Sequence, residues 1–137
     1  MQGTSTTTSL ISPRIHLPSR PTPELRRAQE RLHWQLRCVR VLTELLARAA
    51  ATELPAIAWT VGHAGAILVG HCYGRTAAER RTQFEAWCAF ARAVPDPEGT
   101  TPGGTIHLRA VASRVDGLVD VIVLADLYAE DELGGPQ

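Results

Sequence analysis

Few side chains in this chain sit close enough, in sequence or in expected register, to do chemistry together. His107 and Asp126 lie on two alternating segments, and the expected pairing of those segments sets one opposite the other. An imidazole beside a carboxylate is the pairing of a general base or of a pH-responsive contact. On a solvated strand the same two groups are only a weak surface pair. Cys72 directly follows His71 and offers the residue types of a thiolate–imidazole nucleophile. Neighbours on a strand point to opposite faces, so these two do not readily share a proton. A small enzyme built around His107 and Asp126, or around Cys72, is therefore the third reading of function. The five histidines and three cysteines show no HxxxH or CxxC spacing, so no metal site is expected. Gly62, Gly65, Gly70 and Gly74 form neither a P-loop nor a dinucleotide-binding turn. No cofactor and no small-molecule substrate is indicated.

Charge is the stronger signal, because it is sorted along the chain. Residues 1–50 carry eight arginines against three glutamates, a net of +5, while residues 51–137 carry six arginines against eleven acids, a net of −5. Every basic side chain is arginine, and lysine and asparagine are both missing, as in a GC-rich genome. Arg26, Arg27, Arg31, Arg37, Arg40 and Arg48 lie on the first long helical segment. They are a candidate basic surface for a protein partner or for the phosphates of a nucleic acid. Glu30 and Glu44 interrupt that run and allow pairs along the helix such as Arg40 with Glu44.

These residues must be positioned by a small number of elements. Residues 1–21 are rich in threonine, serine and proline and are expected to be a flexible tail. Residues 22–129 are expected to form one α+β domain, and residues 130–137 an acidic, frayed end. Thr22, Pro23 and Glu24 are a good helix start, and the periodicity predicts a helix to about Ala51. One apolar stripe runs Leu25, Ala28, Leu32, Leu36, Val39, Leu42 or Thr43, and Leu46. A second, nearly opposite, runs Trp34, Cys38, Val41 and Leu45. Its steps of four, three and four are those of a helix–helix seam. It is expected either to pack on the second helix of the same chain or to form a dimer interface with another copy.

A hairpin is expected over residues 56–73, with Val61 facing Ala66 and both faces apolar enough to be covered. A second helix opens on the capping box Thr76–Glu79 and stops before Pro95, followed by a Pro/Gly loop to Gly104. The last hairpin alternates over residues 105–115 and 118–128 around a two-residue turn, Asp116–Gly117. That turn sets Ile106 opposite Leu127, Leu108 opposite Ala125, Ala110 opposite Val123 and Ala112 opposite Val121. The outer pairs are His107 with Asp126, Arg109 with Leu124, and Ser113 with Asp120. The expected fold is α-β-β-α-β-β, a four-stranded and mainly antiparallel sheet with two helices on one face.

Residues 54–61 (LPAIAWTV), 84–90 (FEAWCAF) and 107–110 (HLRA) resemble small uncharacterised α+β proteins of high-GC actinobacteria. The layout also looks like that of small secretion chaperones, which dimerise and hold client segments. The resemblance implies a bacterial cytoplasmic setting and no particular chemistry. Three cysteines without paired spacing and no apolar run long enough for a membrane span point the same way. The expected function is a non-enzymatic macromolecular binding module, dimeric through its first helix, with nucleic-acid binding as the alternative.

Overall fold

The computed structural model describes residues 20–62 and 65–129. The expected tails therefore lie almost wholly outside the described residues, as do His63 and Ala64 of the first hairpin turn. Two helices and a mixed sheet make an α+β fold: α1 (Pro23–Ala51), β1 (Ala58–Val61), β2 (Ile67–His71), α2 (Ala77–Ala91), β3 (Val94–Pro95), β4 (Gly99–Thr100), β5 (Ile106–Val115) and β6 (Val119–Leu127).

At the start of α1, Thr22 Oγ1 accepts from the Leu25 amide at 3.1 Å, the cap its residue type predicts. From Arg31 onward the helix joins the sheet-bearing part of the chain. Cys38, Val41, Leu45 and Ala49 are buried. They enter the same core as Leu68, Val121, Val123, Leu108 and Ala110 of the sheet and Phe84 and Trp87 of α2. The Cys38 thiol reaches the Ile67 carbonyl at 3.6 Å. α2 is capped by Thr76 Oγ1, which accepts from the Glu79 amide, while the Glu79 carboxylate accepts from the Arg75 amide. It ends at Ala91 because Arg92 turns left-handed (φ 57°), three residues ahead of the proline expected to stop it. The Ala93 amide then bonds back to the Cys88 carbonyl.

The sheet order is β1-β2-β6-β5-β3, with β4 also on β5. This corrects the expected four-stranded, mainly antiparallel sheet in two ways. The two hairpins are joined by a parallel pairing of β2 with β6, from Ile67↔Asp120 to His71↔Leu124. The expected loop contributes two short strands, Val94–Pro95 and Gly99–Thr100, to the free side of β5. A parallel neighbour and a two-residue strand leave little periodic trace, so neither is visible in the pattern.

The β5–β6 register runs as expected from Ile106↔Leu127 to Ala112↔Val121, and then slips, so that Val115 pairs with Val119. Arg114 and Asp116 adopt φ 54°, and Gly117 adopts φ 82°. The expected two-residue turn is thus a three-residue connection with a bulge. The Asp120 carboxylate accepts the Arg114 amide at 2.9 Å. In the first hairpin Val61 pairs with Leu68 rather than Ala66. A slip of two residues preserves the faces, so the expected inward and outward sets stand. β1 is an edge strand of the sheet.

One sheet face, carrying Leu68, Gly70, Val121, Val123, Ala125, Leu108 and Ala110, is buried. The other, carrying Val69, His71, Ile122, Leu124, Asp126, His107 and Arg109, is half-buried or exposed. Gly70 lies close under two side chains. A Cβ there would come within 2.7 Å of Ile57 Cδ1 and 2.9 Å of Trp59 Cη2.

Candidate interaction surface

The seam expected to meet either the second helix of the same chain or a second copy lies in the chain's own core. Cys38, Val41 and Leu45 are at most 4% exposed, and Trp34 is half-buried beside them. They pack under the sheet, so the dimer interface expected at Trp34, Cys38, Val41 and Leu45 is corrected. The physical reason is that a helix with two apolar sides gives no local sign of which side the sheet will take. The opposite stripe is the free one. Leu32, Leu36, Val39 and Leu46 are 62%, 64%, 49% and 43% exposed. Scattered exposed leucines are ordinary, but four on one line of one helix are a patch.

The basic set on α1 is divided. Arg37 is half-buried, with Nη2 3.8 Å from the Asp116 carboxylate, and Arg48 stacks over the Phe90 ring at 5.0 Å. Arg26 donates to the Pro21 carbonyl, and Arg27 lies 4.0 Å from Glu24. Arg31 and Arg40 are exposed. The expected Arg40–Glu44 pair is not formed, and both side chains lack an ion-pair partner among the described residues.

On the open sheet face three neighbouring strands bring His71, Asp126 and His107 together. His107 Nδ1 is 2.6 Å from one Asp126 oxygen, and His71 Nε2 is 3.8 Å from the other. His107 and Asp126 were expected to meet. His71 joins them only because β2 lies parallel beside β6, which no local pattern announces. Next to them Arg109 Nη1 donates to Asp96 at 2.6 Å. Both imidazoles are about half exposed on the open sheet face. A groove of about 380 Å³ lies elsewhere, beside Pro55, Ala78, Glu79, Thr82 and Gln83. Among the described residues no group of three or more His, Cys, Asp and Glu side chains is placed to hold a metal ion.

Cys72 is buried on the covered face, across the sheet from His71. Burial pushes its thiol up to about 12, with nearby Cys88 adding to the effect. Burial likewise raises Cys88 to about 11, and raises Cys38 as well. These thiols are held neutral at physiological pH, the reverse of an activated nucleophile.

Arg80 is the residue the sequence reading passed over. It is only 7% exposed. Its Nε donates to the Asp126 carbonyl at 2.6 Å and its Nη1 to the Gly74 carbonyl at 2.7 Å, while the guanidinium lies 5.1 Å from the Tyr128 ring centre. It ties α2 to the end of β6 directly beneath the His71–Asp126–His107 cluster. Its position four residues after the Thr76 cap, on the same side as Phe84 and Trp87, is the one hint the sequence offers. Among known proteins the chain matches no family model, no curated protein and no solved structure.

Proposed function

We propose that the protein is a non-enzymatic protein-binding module that self-associates through the outward face of α1. The observation that carries this reading is the line of exposed leucine and valine side chains at positions 32, 36, 39 and 46. A chain with a complete core beneath α1 gains nothing from placing them in water, whereas a partner surface covers them. The inert thiols and the half-exposed setting of His107 weigh against an enzyme. The diversion of Arg37 and Arg48 into intramolecular contacts weighs against a continuous phosphate-tracking surface. Three buried, unpaired cysteines favour a reducing, cytoplasmic setting, and no described helix is long and apolar enough to cross a membrane.

Light scattering at micromolar concentration tests the reading. The expected mass is twice 14.9 kDa, falling to one chain for the Leu36→Glu, Val39→Glu variant, with the circular dichroism spectrum unchanged. A wild-type chain that is monomeric there overturns the proposal. Salt-sensitive retention on DNA or RNA, lost when Arg31 and Arg40 are changed to Glu, would move the assignment to nucleic acid.

A further inference from the structure

The two ends of the sheet are built differently. Beyond β5 stand β3 and β4, strands of two residues each. Pro95 in β3 has no N–H to offer, and so short a strand pairs poorly with a newcomer. At the other end stands β1. Its residues, Ala58–Val61, include no charge, proline or glycine. Ala58 and Thr60 are exposed, and Trp59 and Val61 are half-buried.

The ladder fixes where the spare hydrogen-bonding groups of β1 point. Gly62 donates to the Ile67 carbonyl at 2.8 Å. Bonded pairs alternate along an antiparallel ladder. With Gly62 bonded to Ile67, the Thr60–Val69 and Ala58–His71 pairs are the bonded ones. The N–H and C=O of Trp59 and of Val61 therefore turn away from β2, and no described residue bonds to them. Donors and acceptors that face outward at every second residue are matched by another extended backbone.

We propose that the outer edge of β1 binds an extended segment of a partner protein, which joins the sheet as a further strand. The proposal rests on the protein-binding reading above and names the form the partner takes. The segment exchanges hydrogen bonds with Trp59 and Val61. Its side chains alternate, one set beside Trp59 and Val61 toward the covered face, the other beside Ala58 and Thr60 on the open face. All four β1 side chains are uncharged. The matching residues are uncharged as well, with β-branched and aromatic types packing best.

An array of capped heptapeptides tests this, with threonine at every second position and valine, isoleucine, leucine or phenylalanine between, probed with the full-length chain. Retention on a subset is expected, and N-methylation of alternate residues in those same peptides should abolish it. Val61→Pro removes an outward N–H without touching the bonds to β2. That variant should keep its circular dichroism spectrum and lose at least about tenfold in affinity. The Leu36→Glu, Val39→Glu variant should bind the peptides as the wild type does. No retention on any peptide, or retention that survives N-methylation, overturns the proposal. So does a wild-type dimer that Val61→Pro splits, which gives the edge to a second copy. A monomeric wild-type chain that still binds the peptides overturns self-association through α1 and leaves the edge assignment standing.

Discussion

The two faces of α1 are built from the same kind of residue and end in opposite environments. The inward face carries Cys38, Val41, Leu45 and Ala49, all within the core. The outward face carries Leu32, Leu36, Val39 and Leu46, all more than two-fifths exposed. The outward residues are, on average, the larger and more apolar. Hydrophobicity alone would therefore have put the wrong face inside. The smaller side chains Cys38 and Ala49 lie inside, and the Cys38 thiol reaches the Ile67 carbonyl at 3.6 Å. The same contrast runs through the sheet, where odd-numbered positions of β6 are buried and even-numbered ones half-buried. A covered side holds the fold, and an open side is free for contacts outside it.

That contrast breaks if the two faces respond alike to truncation. Leu45→Ala should cost about 2–5 kcal/mol of stability in urea unfolding. Leu36→Ala, measured below the concentration at which copies associate, should stay within about 0.5 kcal/mol. Equal losses would mean that α1 is oriented otherwise. Next in size, Arg80→Met should cost about 2–3 kcal/mol, because it leaves the Asp126 and Gly74 carbonyls without their charged donor. Thermal unfolding would register this as a clear drop in Tm.

Gly70→Ala sharpens the picture of the covered face. The added methyl meets Ile57 and Trp59, and should cost about 1–3 kcal/mol by the same measurement. On the open face, His107→Ala should change stability by no more than about 1 kcal/mol, since its contact with Asp126 is half exposed. A larger loss would show that this face is covered in solution.

The thiols give a pH arm to the same comparison. In the folded chain Cys72 and Cys88 lose their protons only near 12 and 11, against an ordinary value of 9.0. The folded state thus holds protons that the unfolded state releases between those values. The stability linked to this is present below pH 9.0 and falls as pH rises toward 11 and 12. Alkylation at neutral pH, read by mass spectrometry, should leave all three cysteines unmodified in the native chain and label all three in denaturant. Glu98 acts at the other end. Its pairing with Arg81 holds its carboxyl below the usual range, so that contribution is lost as pH falls through the lowered value.

Much of the architecture was legible because it rests on local rules. The Thr22 and Thr76 caps, the end of α1 and the β5–β6 register to Ala112 follow from short-range hydrogen bonding and strict alternation. The His107–Asp126 contact was readable through that register. The bulge at Arg114 was not, because residues of ordinary type adopt positive φ there. His71 beside Asp126, and the buried span of Arg80, depend on segments far apart in the chain.

By itself the sequence determined the order of elements, where each helix starts and which strand residues share a face. Backbone geometry and side-chain periodicity act over a few residues, whatever surrounds them. Only the tertiary structure decided which stripe of α1 went inside, that β2 would lie parallel to β6, and that Arg80 would be buried among carbonyls. Those outcomes depend on how distant surfaces fill space together. A two-sided helix carries no local mark of which side its sheet will take.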